Sequence, residues 1–175
     1  MKWLLIIIGV VAALALMTFV VGSRLPREHQ AASQITIDRP IDEVWAAVRD
    51  FAAMPGYWPD MKKVERLPDR GGHEVWKQTL KNGEITIEVA ESSAPDRLVT
   101  AIDAPPGSPF GGRWIYRLER AGAATRVTVT EDGWIDNKFF RVVSKLTGYH
   151  GTLDSFLTAL GAKLGSPSPP EHIEG

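Results

Sequence analysis

The chain has 175 residues, and its 20 Lys+Arg nearly balance its 21 Asp+Glu. That balance gives no electrostatic reason to expect nucleic acid or a strongly acidic partner. There is no cysteine, which excludes disulfides, thiolate metal sites, iron–sulfur clusters and cysteine nucleophiles.

From the N-terminus, WLLIIIGVVAALALMTFVVG (Trp3 to Gly22) holds no charge over 20 positions. As a helix it spans about 30 Å, the hydrocarbon thickness of a bilayer. It has no polar stripe, unlike a helix packed on a soluble core. A cleaved signal peptide is the competing reading, with Val20 and Gly22 as small-residue cleavage positions, but such apolar regions run only about 7–15 residues. The expectation is a single-pass anchor over residues 1–23, crossing a membrane such as a bacterial inner membrane with residues 3–22. Lys2 and the terminal amine on one side balance Arg24 and Arg27 on the other, so the flanking charges do not choose a side.

Residues 24–32 contain the short polar stretch PREHQAA and are expected to be a linker; a domain over 33–164 follows. SQITID (33–38) alternates as a strand does. Pro40 then opens a helix, PIDEVWAAVRDF, with Asp42 and Glu43 at its positive end and Ile41, Val44, Trp45 and Val48 as its apolar stripe. Pro55, Gly56 and Pro59 break what comes next. Six strands are predicted at regular spacing: 61–68, 73–80, 84–92, 97–103, 112–120 and 125–135. KNG (81–83) is a hairpin turn, since Asn-Gly accepts positive φ. One long helix is predicted from Lys138 to Leu164, with a possible kink at Gly148 and Gly151. The tail, 165–175, is rich in Pro and Ser and is expected to be disordered. This order describes an α+β domain in which a curved antiparallel sheet of about seven strands wraps a C-terminal helix.

Two stretches carry a resemblance. ITIDRPIDEVWAAVRDFAAMPGYWPDMKKVE (35–65) and TEDGWIDNKFFRVVSKL (130–146) resemble the START-like, or SRPBCC, superfamily of helix-grip domains, also called the polyketide cyclase/dehydrase and lipid-transport superfamily. The resemblance spans about residues 33–164. It implies a cavity between sheet and long helix that takes a hydrophobic or amphipathic small molecule such as a lipid, an isoprenoid or a polyketide-like compound. Some members are cyclases or hydrolases and others only carry or sense a ligand. The superfamily has no universal catalytic motif, so no catalytic residue and no cofactor is transferred.

Alternation puts Val127, Val129 and Glu131 on one face, with Trp114, Tyr116 and Leu118 and with Ile85, Ile87 and Val89 as companion sets. Glu131 is then a carboxylate on an apolar face. It either orients a polar ligand group or serves as a general acid/base, or it meets Arg141 or Lys138 at a wet strand end. Trp58, Trp76, Trp114, Tyr116 and Trp134 either line an aromatic pocket or fill the core. With Val129, Phe139, Val143 and Tyr149 they complete the expected ligand contacts. Gly107, Gly111 and Gly112 lie in a loop that either gates the cavity or merely connects two strands. His150 diverges from Tyr149 by about 100° on a helix, which argues against a proton-transfer pair. His73 lies near a turn, and His29 and His172 fall in segments expected to be flexible. No His/Asp/Glu set has metal-ligand spacing along the chain, so no metal is expected. Three functions remain: a membrane-anchored ligand-binding domain, a cyclase/dehydratase- or hydrolase-type enzyme using Glu131, and an interaction scaffold with a filled cavity.

Overall fold

The structure is a computed structural model and describes residues 2–174. Helix α1 (Lys2–Arg24) is long and apolar enough to cross a membrane, and none of its most apolar window is buried. A core helix would be buried, so that reading fails; a signal sequence would satisfy the same length and composition.

Eight strands form one antiparallel sheet: β1 (Glu28–Ile37), β2 (Met61–Arg70), β3 (His73–Leu80), β4 (Gly83–Ser93), β5 (Arg97–Ile102), β6 (Phe110–Ala121), β7 (Ala124–Ile135) and β8 (Glu171–Ile173). Their order is β2-β3-β4-β5-β6-β7-β1-β8. The six predicted strands of the meander appear within a few residues of their expected ends. The predicted faces also hold: Trp114 pairs with Glu131, Tyr116 with Val129 and Leu118 with Val127. Tyr116, Leu118, Val127 and Val129 are all buried.

Two departures concern the ends of the domain. β1 begins at Glu28, inside the stretch expected as linker. β7 runs down to Ile135 and presents backbone groups there, and Glu28 and His29 pair with Trp134 and Gly133. Unpaired backbone groups beside a core are costly, so the polar EHQ segment continues the ladder. The second departure is in the tail, where Glu171–Ile173 adds an eighth strand on the free edge of β1, with Ser33 opposite His172.

α2 (Ile41–Arg49) starts after Pro40 and buries Ile41, Val44, Ala47 and Val48. A 3₁₀ turn over Phe51–Gly56 follows, with the Asp50 side chain accepting from the Ala53 N–H.

The predicted long helix is in fact two. α3 (Lys138–Thr147) ends at Gly148, whose φ of +82° belongs to the left-handed region that favours glycine. α4 (Gly151–Lys163) follows. An apolar series can continue across a break of this kind, so helical periodicity did not reveal it. The two halves have different surroundings. Leu153, Phe156, Leu157 and Leu160 of α4 are fully buried, whereas α3 has no buried residue. α3 lies against the end of α1 instead. A Cβ at Gly22 would stand 2.2 Å from the Lys138 carbonyl oxygen, so only glycine allows this approach. The Lys138 ammonium sits 3.8 Å from the centre of the Phe19 ring. The Arg141 guanidinium donates to the Ile135 carbonyl at 2.6 Å and reaches the Gly22 and Leu25 carbonyls at 3.4 Å.

The broken helix predicts opposite sensitivities on its two halves. Leu157→Ala should destabilise the domain by about 2–5 kcal/mol, because it opens a cavity in a closed core. Leu146→Ala, at a site 82% exposed, should change stability by less than about 0.5 kcal/mol. Denaturant unfolding of the full chain in detergent micelles checks both.

Candidate functional site

The sheet and the start of α4 enclose a cavity of about 510 Å³. Leu80, Ile87, Ile102, Trp114 and Tyr116 give it an apolar wall, and Gln78 and Thr100 are buried polar points in the same wall. The β3–β4 turn (Lys81, Asn82) and Phe110, which ends the glycine-bearing loop, stand at its edge. A second cavity of about 420 Å³ lies towards α3, bounded by His29, Trp134, Phe140, Ser144 and Tyr149. Glu131, Phe110 and Thr152 belong to both walls. Glu131 therefore stands where the two cavities meet.

The Glu131 carboxylate has two donors. Trp114 Nε1–H donates to Oε2 at 3.0 Å, and His29 Nε2 lies 3.0 Å from Oε1. A carboxylate only accepts, so this contact assigns the His29 proton to Nε2. The His29 side chain is 8% exposed and stacks on Tyr149 at 4.2 Å with planes 13° apart. Its Nδ1 is buried without a partner. Gly133 makes room for the ring: a Cβ there would fall 2.9 Å from its atoms. The alternative of a surface pair with Arg141 or Lys138 is corrected by this geometry, since Arg141 binds backbone carbonyls and Lys138 sits over Phe19. His29, expected in a flexible segment, lies in β1 and is the main residue the sequence reading missed.

The other predicted ligand contacts separate into two groups. Trp58, Trp114, Tyr116 and Glu131 line the first cavity, and Glu131 and Tyr149 line the second together with Trp134. Trp76 lies off both, edge-on to Phe51 with the Arg66 guanidinium over its ring. Val129 is fully buried in the core. Phe139 and Val143 lie on exposed α3 and bound neither cavity, because the break at Gly148 turns α3 away from the sheet.

A second polar chain braces the first cavity. Trp58 Nε1–H donates to Ser155 Oγ at 2.9 Å, Ser155 donates to Asp60 at 2.7 Å, and Lys81 pairs with Asp60 at 2.9 Å. Hydrogen bonds from Lys81 and Ser155 hold the Asp60 carboxyl below the usual carboxylate range. Burial pushes the Tyr116 phenol far above its ordinary value, so it stays protonated at any working pH.

His150, Asp154 and His172 also come together, with ligand atoms within 4.8 Å of one another. This corrects the expectation drawn from chain spacing, which could not anticipate that β8 brings His172 to α4. Their atoms already have partners: Ser33 Oγ donates to Asp154 at 2.7 Å and lies 3.2 Å from His150 Nδ1, and His172 Nε2 meets Asp154 at 2.8 Å. The two imidazoles stack at 3.8 Å. These hydrogen bonds join β8, β1 and α4.

A profile described as polyketide cyclase/dehydrase and lipid transport matches residues 28–165. No curated protein matches the sequence significantly. Solved structures share the fold. A conserved protein from Geobacillus kaustophilus is 16% identical, with 83% of this chain and 100% of that one covered at a TM-score of 0.66. A START superfamily protein from Mycobacterium smegmatis is 17% identical, with 78% and 97% covered at 0.64. The Zhui aromatase/cyclase from a Streptomyces species is 16% identical, with 79% and 94% covered at 0.62.

The lowered Asp60 pKa carries a pH dependence. A carboxyl held lower in the folded state than in the unfolded one adds stability above the unfolded value and loses it as pH falls through the folded value. Asp60→Asn should therefore be less stable than the parent at neutral pH. The gap should close on acidification below the ordinary carboxylate range, as read from denaturant midpoints across pH.

Proposed function

The chain belongs to the polyketide cyclase/dehydrase and lipid transport family, and from that membership we propose that it is a membrane-anchored domain binding an amphipathic small molecule, with the apolar part in the first cavity and one hydrogen-donating head group on Glu131. The observation that carries this reading is a carboxylate fixed by two donors where a mostly apolar cavity meets a second one. An ionised carboxylate in such a place needs donors. Trp114 and His29 supply one per oxygen, and each carboxylate oxygen retains a second lone pair. A ligand hydroxyl or amine can take that position.

The volume suits a ligand of lipid, isoprenoid or polyketide-like size, since small-molecule sites run to about 300–1,000 Å³. An open cavity also favours ligand binding over a scaffold with a filled one. α1 would hold the domain at the bilayer, where a molecule that partitions into lipid is concentrated. With β1 starting at Glu28, only Leu25–Arg27 separate the helix from the sheet, so the domain would stay close to the membrane surface.

A second reading is favoured by one observation, the His29–Glu131 contact. A carboxylate fixing an imidazole tautomer is the arrangement of a general acid–base pair. In a cyclase/dehydratase or hydrolase, Glu131 would hold His29 or take a substrate proton itself.

Native mass spectrometry of the full chain, extracted from its membrane in mild detergent, tests the binding reading. An apolar molecule should co-purify at near one-to-one stoichiometry. Glu131→Gln should weaken its retention by about 10–100-fold, the loss expected for one hydrogen bond to a charged group. Ile87→Trp should abolish retention by filling the cavity. A ligand-free parent chain, after incubation with host lipids, would contradict the reading.

A further inference from the structure

Of the two helices that replace the expected long one, α3 has no packing role in the domain core. It buries no residue. Phe139, Phe140, Val143 and Leu146 are all exposed, Leu146 at 82%. At 100° per residue these four fall on one side of the helix, and Lys138, Arg141 and Lys145 fall on the opposite side. The segment KFFRVVSKLT contains three cations and no acid. A short helix with an aromatic and aliphatic face opposite a basic one has the composition of a helix lying in a membrane interface.

Its position agrees with that composition. α3 contacts the last turns of α1 through Phe19 and Gly22, and the residue just after it, Leu25. If α1 spans a bilayer, its final turns mark the headgroup level, and α3 lies at the same level. Arg24 is exposed there too, while the neighbouring acid, Asp136, is paired with Arg27 at 2.7 Å. Glu28 is exposed nearby, against the unpaired Arg24 and Lys145, so the local charge free to meet lipid is positive by one. Exposed apolar surface of this kind is uncommon on a soluble monomer, and here it continues the apolar surface of α1.

We propose that α3 is an interfacial helix, with its Phe139–Phe140–Val143–Leu146 face in the acyl region of the leaflet at the end of α1 and Lys145 at anionic headgroups, while Lys138 and Arg141 tie α3 to the end of α1. The break at Gly148 frees α3 for this contact while α4 stays in the core. Phe140 and Ser144 of α3 bound the second cavity, so that cavity opens at the membrane surface rather than into bulk water. The inference rests on the reading of α1 as a spanning helix and gives the proposed ligand site a direct approach from lipid.

The absence of cysteine permits a clean test with single-cysteine variants of the full chain. Leu146→Cys, Ala13→Cys and Ala123→Cys are labelled with an environment-sensitive fluorophore and reconstituted into vesicles of equal parts phosphatidylcholine and phosphatidylglycerol. Ala123 is the distant control, in the β6–β7 turn beyond the Thr125–Ile37 end of the ladder. The expected result is quenching by a shallow spin-labelled lipid at position 146 and by a deep one at position 13. Iodide quenching at 146 should be several-fold weaker than at 123. Equal iodide quenching at 146 and 123 would overturn the proposal. Protection at 146 from both iodide and lipid quenchers would also overturn it, showing that a second copy or the chain itself covers the face. Quenching at 13 without quenching at 146 refutes the role of α3 and leaves the anchor intact; quenching at neither refutes both. The readout needs no ligand, so it stands or falls separately from ligand binding.

Discussion

A carboxylate on the apolar side of a sheet must be satisfied there, and much of this structure is arranged around doing so for Glu131. The β6–β7 register sets Trp114 directly opposite it and supplies one donor. The other donor, His29, requires β1 to begin as early as Glu28 and requires a residue without Cβ at position 133. Tyr149 stacks on His29 from the turn between α3 and α4. One half-buried carboxylate thereby ties together β1, β6, β7 and the helix break. A carboxylate partly withdrawn from water needs such donors, so the network and the cavity that it borders depend on each other.

The helix break is the second organising feature. α4 packs Leu153, Phe156, Leu157 and Leu160 into the core beside β1 and β7 and leaves the cavity under β3–β6 open. α3 is then free to turn towards α1. That separation leaves two adjoining cavities, one under β3–β6 and one beside α3, with Glu131 between them. A polar anchor at the junction of two mostly apolar spaces suits a ligand whose head group is held while its apolar part extends to either side.

Most of the fold was legible because its signals are local. Val127–Val129–Glu131 and Trp114–Tyr116–Leu118 alternate with period two, and Asn82-Gly83 marks the hairpin. The inward placement of Glu131 followed from that alternation alone. Other features were hidden for physical reasons. EHQ is polar and precedes the first apolar strand residues, so composition points to a start at Ser33, although His29, Ala31, Ser33 and Ile35 already alternate in phase with the buried face. The Pro/Ser-rich stretch after Gly165 resembles disorder, and composition cannot show that three residues beyond it pair with β1. Phe139 and Val143 kept helical phase with α4 residues, and periodicity does not distinguish a core from a membrane or another helix. Trp76 shares its type with the cavity tryptophans but not their place, which depends on sheet curvature rather than on any local pattern.

The account turns on Glu131 acting as the polar post of a cavity reached by ligand, and the indole N–H of Trp114 reports on it directly. Its ¹H–¹⁵N signal can be followed in the full chain, reconstituted in lipid nanodiscs, during titration with 1-decanol and with the methyl ether of that alcohol. The account predicts that the alcohol moves the Trp114 signal at much lower concentration than the ether, that Glu131→Gln removes the difference, and that the Trp76 signal stays in place. A Trp114 signal indifferent to both compounds, or moved equally by both, would contradict it.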